Sequence, residues 1–176
     1  MSIRSKNALA EALLALMLRE AFDDISISDI TDKAFLSRQT FYTNFSKKED
    51  ILEYLLDGLF ARYQAQLQQG RCEPDNFIVD YFIFWNNSRE FLALLFKQNL
   101  GYIFQERNRI FFMEQSESLN GFFTVETWQL PYIKASMAGL TYELLCMWLL
   151  QNEGISLDFL TGIAKNLLEG KIFSDI

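Results

Sequence analysis

The residues best suited to chemistry lie together near the start of the chain: Ser37-Arg38-Gln39-Thr40-Phe41-Tyr42-Thr43-Asn44-Phe45. At helical spacing, Phe41 and Phe45 point one way, while Arg38, Gln39, Thr40 and Thr43 lie elsewhere on the surface. A cationic fork, an amide and two hydroxyls suit the base edges of a DNA major groove. Arg can bond guanine in bidentate fashion, Gln can bond adenine, and Thr can bond either or touch the thymine methyl. Ser37, at the start of this stretch, joins the set. Tyr42 and the Lys47-Lys48 pair stand where phosphate contacts would fix the register. Ser28, earlier in the chain, offers a hydroxyl and a nearby backbone N–H that could meet a phosphate or simply cap a helix.

Other chemistries are poorly supplied. The 176 residues include no histidine, so Ser-His-Asp and Cys-His catalysis and His-bearing metal sites are excluded. Cys72 and Cys146 are far apart and form no ligand pair. Nothing resembles a phosphate-cradling glycine loop. An enzyme built on Glu, Lys or Tyr is conceivable, yet no arrangement points to one. The expectation is a non-enzyme with no cofactor and no metal.

Charge refines the DNA reading. The net charge of −7 argues against a protein that coats nucleic acid non-specifically. A specific reader needs only a local basic face. Residues 1–50 carry Arg4, Lys6, Arg19, Lys33, Arg38, Lys47 and Lys48 against eight acids, so that stretch is near neutral and most excess acid lies beyond it.

The elements that must hold these residues are helices. Leu9, Ala12, Leu13, Leu16 and Met17 share one face of a helix over 3–22, which Asp23-Asp24 ends. Ser26, with Asp29 three residues on, opens a second helix of about two turns. Ser37 opens a third over 38–44. Ser46-Lys47-Lys48-Glu49 reads as another capping box, opening a long amphipathic helix through Ile51, Leu52, Leu55, Leu56, Leu59, Phe60, Tyr63 and Leu67. Two short helices joined by a tight turn within 25–45 make a helix-turn-helix. The break at 68–74, with Pro74, marks a boundary. Further helices are expected over 75–86, 88–104, 105–118, 126–152 and 156–169, with turns at Asn120-Gly121 and Glu153-Gly154. The domains expected are 1–46 for DNA binding, 47–69 as connecting helix and 70–176 as a helical regulatory and dimerisation domain, all-α throughout.

The string Ile27, Ile30, Ala34, Leu36, Ser37, Thr40, Phe41, Tyr42, Phe45, Lys48, Glu49, Ile51 and Leu52 resembles the TetR family of bacterial regulators. The resemblance implies a three-helix DNA-binding domain whose third helix enters the major groove, and a fourth helix leading to a larger helical domain. The family usually has Gly where Phe35 stands, so Phe35 implies a differently shaped turn or some strain. Ala21 likewise replaces a frequent Gly. Residues 132–168 resemble a subgroup that includes regulators of dihydroxyacetone kinase operons, through Ala135, Ala138, Gly139, Trp148 and Gly154.

Beyond the boundary the chain is rich in aromatics. Most should fill a helical core. Phe82, Trp85, Phe112, Met137, Tyr142 and Cys146 are the candidates to line part of an apolar ligand pocket. Phe111-Phe112-Met113 and Phe122-Phe123 suggest a lid or a partner surface. The last two helices are apolar around much of their circumference, with Ala135, Ala138 and Gly139 allowing close approach. A homodimer packing them as a four-helix bundle would bury both faces and present two reading heads to a palindromic operator.

The apolar run Met137–Leu150 contains Glu143 and reads as too short to span a bilayer. No signal-peptide pattern occurs in residues 1–20, so a cytoplasmic protein with no membrane partner is expected. The function expected is a sequence-specific repressor of double-stranded DNA, released by a small apolar ligand. The alternative is a regulator of the same fold that activates, or that answers to a protein partner.

Overall fold

The computed structural model describes residues 3–69, 76–114, 126–150 and 154–168. Among them every regular element is a helix: α1 (Ile3–Met17), α2 (Ile27–Lys33), α3 (Arg38–Asn44), α4 (Glu49–Gln68), α5 (Phe77–Asn86), α6 (Arg89–Lys97), α7 (Gly101–Glu114), α8 (Leu130–Leu150) and α9 (Leu157–Leu168). Short 3-10 turns lie at Phe22–Asp24 and Thr127–Gln129. The chain divides into two compact units, Met1–Leu59 and Phe60–Ile176.

The division falls inside α4, so this helix is shared by the two units, whereas the sequence suggests a separate connector over 47–69. Packing explains the difference. Ile51, Leu52 and Leu56 are buried, and the Tyr54 hydroxyl bonds Asn7 Oδ1 of α1 at 2.8 Å. Phe60 and Tyr63, one to two turns later, join the aromatic core of the second unit, with Phe60 4.7 Å from Trp85 and Tyr63 4.9 Å from Phe84.

In the first unit α1, α2 and α3 pack on one another around Leu9, Leu13, Met17, Ile30 and Phe41. Ser26 caps α2 as its spacing predicts. Its hydroxyl oxygen accepts from the Asp29 N–H, and its own N–H donates to the Asp29 carboxylate at 2.8 Å. These bonds from Ser26 hold the Asp29 carboxyl below its ordinary value. At α4 the expected box takes another form. The capping carboxylate is that of Asp50, accepting from Ser46 N at 2.7 Å and Lys47 N at 3.1 Å. Asp50 thus holds two backbone donors ahead of the first turn, the task assigned above to Glu49.

Helix α2 ends in a Schellman motif. Leu36 N donates to Thr31 O at 2.9 Å and Phe35 N to Asp32 O at 3.2 Å. The motif needs a left-handed residue, and Phe35 supplies it at φ 53°. Of the two outcomes expected for Phe35, the turn keeps its shape and accepts the strain.

In the second unit the expected helix over 88–104 is two helices. Asn99, at φ 58°, makes the same motif at the end of α6: Leu100 N bonds Leu95 O at 2.8 Å and Asn99 N bonds Phe96 O at 3.1 Å. A short polar side chain tolerates the left-handed region, so Asn99 stops a helix that apolar periodicity alone carries through. Helix α8 packs against α6, α7 and α9, and α9 also against α5. The longer stretch Thr127–Leu150, which contains the run 137–150, is long and apolar enough to cross a bilayer by length and composition alone, with an 18-residue window at mean hydropathy 1.2. A core helix meets the same criterion, and Met137, Ala138, Leu145, Trp148 and Leu149 of α8 are buried against its neighbours.

Cys72, Pro74, Phe122-Phe123, Asn120-Gly121, Glu153 and all but the first two residues of the break at 68–74 lie outside the described residues.

Candidate nucleic-acid interface

Local chemistry builds the interface around α3. Ser37 is its N-cap, its oxygen accepting from Thr40 N at 3.1 Å, with the two hydroxyls 2.9 Å apart. Phe41 is buried and anchors the helix, and Phe45 closes it from the C-cap. The anchored face forces the opposite one outward. Ser37, Arg38, Gln39, Tyr42 and Thr43 are exposed and Thr40 is half-buried.

The exposed groups differ in how free they are. Among the described residues, the side chains of Arg38 and Gln39 have no hydrogen-bond or ion-pair partner. Tyr42 is 53% exposed, its ring edge-on to Phe41 at 5.4 Å, so the phenol is braced on one side and open at its hydroxyl. Thr43 Oγ1 donates to Gln39 O at 2.8 Å and keeps its lone pairs and methyl for a partner. Ser28 is half-buried in the first turn of α2; the cap there is Ser26, which leaves the Ser28 hydroxyl uncommitted to capping.

The two lysines diverge. Lys47 is exposed, with Glu53 at the outer limit of an ion pair, 4.0 Å. Lys48 is committed inward. Its ammonium donates to Phe22 O, to Asp23 O at 3.2 Å and to Ile25 O at 2.9 Å, and it sits 4.4 Å from the Phe22 ring centroid. An ammonium has three donors, and all three are used. In this structure Lys48 ties the start of α4 to the loop after α1. The phosphate contact expected from its position would compete with this carbonyl cluster 23–26 residues away in sequence.

Of the six residues expected to line a ligand pocket, four are core side chains. Phe82, Trp85, Phe112 and Met137 are buried. Trp85 lies 4.9 Å from Phe104, and Phe112 lies 5.7 Å from Tyr81, as core side chains. Tyr142 and Cys146 are half-buried on α8, and burial raises the pKa of both the phenol and the thiol. A groove of about 230 Å³ lies elsewhere in this unit, lined by Tyr63, Leu67, Asp80, Ile83 and Phe84. Of the lid candidates among the described residues, Phe111 and Phe112 are buried and Met113 is exposed. Helical facing explains both outcomes: it groups apolar residues but does not tell a filled core from a cavity.

A buried polar relay also went unread in the sequence. Tyr81 Oη donates to Asn108 Oδ1 at 2.7 Å, and Asn108 Nδ2 donates to Ala138 O at 2.9 Å and Thr141 Oγ1 at 3.0 Å. Burial raises the Tyr81 pKa, so the phenol stays protonated. A lone Asn within an aromatic helix carries no sequence signal for this role.

Residues 9–55 match the family of bacterial regulatory proteins, tetR family. The chain is 38% identical over 60 residues to the HTH-type dhaKLM operon transcriptional activator DhaS of Lactococcus lactis subsp. lactis (strain IL1403). That alignment spans 34% of this chain and 32% of the relative. Over 152 residues it is 27% identical to an HTH-type transcriptional regulator of Haemophilus influenzae (strain ATCC 51907 / DSM 11121 / KW20 / Rd), covering 80% of this chain and 75% of that one. The fold is similar to the solved structure of a dihydroxyacetone kinase operon activator DhaS, with a TM-score of 0.59 and 22% identity over 97% of each chain.

Proposed function

We propose that this chain, which carries the DNA-binding domain of the TetR family at residues 9–55, is a cytoplasmic transcriptional regulator that reads a palindromic operator as a homodimer. The observation that carries the reading is the α3 face: Arg38 and Gln39 unpartnered among the described residues, Tyr42 and Thr43 exposed beside them, all on a helix anchored by Phe41. Arg38, Gln39, Thr40 and Thr43 are assigned to base edges. Ser28, Ser37, Tyr42 and Lys47 are assigned to the phosphates. Lys48 is assigned a positioning role.

The homodimer is supported by α8 and α9. Tyr132, Met147 and Leu150 are exposed along α8, beside Ala135 and a Gly139 with open space around it. Phe159 and Leu168 are exposed on α9. Burial of this stripe against a second copy would remove apolar surface from water and set two heads on one duplex.

Two modes of control remain, a repressor released by a small apolar ligand in the second unit and an activator. The name of the Lactococcus relative favours activation. The packed state of Phe82, Trp85 and Phe112 also favours control by a partner, since a small ligand would have to open that core. Selection from a random duplex pool at near-physiological salt tests the DNA reading. An enriched palindrome supports a dimeric reader, and its half-site spacing measures the separation of the heads. Only weak, strongly salt-dependent binding with no enrichment would refute it. A reporter driven from the enriched site then gives the sign of regulation.

A further inference from the structure

Phe35 is 94% exposed and holds its backbone at φ 53°. Each feature is unfavourable alone. A side chain with a Cβ disfavours the left-handed region, and an exposed aromatic ring gains nothing from the fold. Among the described residues its ring has no aromatic or cationic neighbour, so stability does not account for it.

We propose that Phe35 is an apolar DNA-contact residue at the rim of the reading head, its ring packing on the thymine methyl or deoxyribose groups of the duplex. This rests on the DNA-reading function proposed above. Three observations lead to it. Phe35 stands two residues before the N-cap of α3, continuous with the exposed Ser37-Arg38-Gln39 stretch. The paired bonds Leu36 N to Thr31 O and Phe35 N to Asp32 O fix the backbone from which the ring projects. Part of the nearby charge is already committed: Lys48 donates to three carbonyls and Lys47 stands 4.0 Å from Glu53, while Arg38 is assigned to base edges. Cations committed within the fold give less affinity to phosphates, which raises the share left to apolar contact. Phenylalanine is suited to a thymine methyl, which the major groove exposes.

The experiment uses the full chain, the operator enriched from the duplex pool, and anisotropy titrations at several salt concentrations. Phe35→Gly removes the ring and relieves the backbone, so its melting temperature should hold or rise. Its operator affinity should fall about tenfold, the loss expected for an exposed aromatic contact. The slope of log K against log salt should stay the same, because no charge is lost. Phe35→Leu should fall between the two. Uracil in place of thymine separates the sources of the contact. A loss seen in the parent and absent in Phe35→Gly identifies a thymine methyl; no loss in either, with Phe35→Gly still weakened, identifies deoxyribose. Phe35→Gly binding as tightly as the parent overturns the proposal, as does weaker binding that comes with a lower melting temperature or a changed salt slope. If the parent enriches no duplex, the DNA-reading function itself fails, and this contact fails with it.

Discussion

The first unit holds its characteristic polar side chains outside, and the second holds them inside. On α3, Arg38 and Gln39 stand in solvent without partners among the described residues, while apolar Phe41 is buried beneath them. In the second unit Asn108 is fully buried and every hydrogen-bonding group on its amide is used. A polar group left in water loses nothing by waiting for a partner. A polar group taken into a core must find one within the fold. The first arrangement suits recognition, the second specification of a single packing.

The sharpest way to break this contrast is Asn108→Leu. It nearly preserves shape and strips the Tyr81 hydroxyl of its 2.7 Å acceptor. The expected cost is about 2–3 kcal/mol, read as a lower melting temperature in a thermal scan. An unchanged melting temperature would mean that the relay is incidental to the packing.

Arg38→Ala is the counterpart in the first unit. Its melting temperature should be unchanged, since exposed Arg38 has no partner to lose among the described residues. Its affinity for the enriched operator should fall by about 1–3 kcal/mol, and selectivity should relax at one base position. Equal weakening on all sequences would make Arg38 a phosphate contact instead.

The same contrast explains what could be read in advance. Caps are local: Ser26 with Asp29, and Ser37 with Thr40, act over three residues, so sequence spacing alone places α2 and α3. The exposed face of α3 follows from Phe41 and Phe45 once the helix is placed. Long-range choices are hidden. Lys48 looks like a free cation until the fold brings the carbonyls of Phe22, Asp23 and Ile25 within reach. Phe82, Trp85 and Phe112 look equally suited to a pocket or a core, and only three-dimensional packing separates the two. The end of α6 depends on one left-handed Asn99 that apolar periodicity overrides.

Ser37→Ala probes the local side of the comparison. Loss of the N-cap should cost about 1 kcal/mol of stability, measured by denaturant titration. Operator affinity should also fall, because the same hydroxyl is assigned to the phosphates. A variant that loses stability yet binds as tightly as the parent would restrict Ser37 to its cap.

The smallest effect separates two helix ends that share one motif. Phe35 and Asn99 occupy the same left-handed position, with the same pair of backbone bonds, in different units. Asn tolerates that region, so Asn99→Gly should change stability by no more than about 0.5 kcal/mol: the small relief in the folded state is offset by the greater freedom of Gly in the unfolded chain. Phe35→Gly should instead stabilise by about 1 kcal/mol, because the relief of a bulky residue exceeds that loss. Denaturant titrations of the two variants, side by side, read the difference directly. Equal responses would show that Phe35 bears no more strain than Asn99, and its retention in the turn would then carry no cost needing a functional return. A gain confined to Phe35→Gly would show that the first unit sacrifices stability at a helix end that borders its reading face.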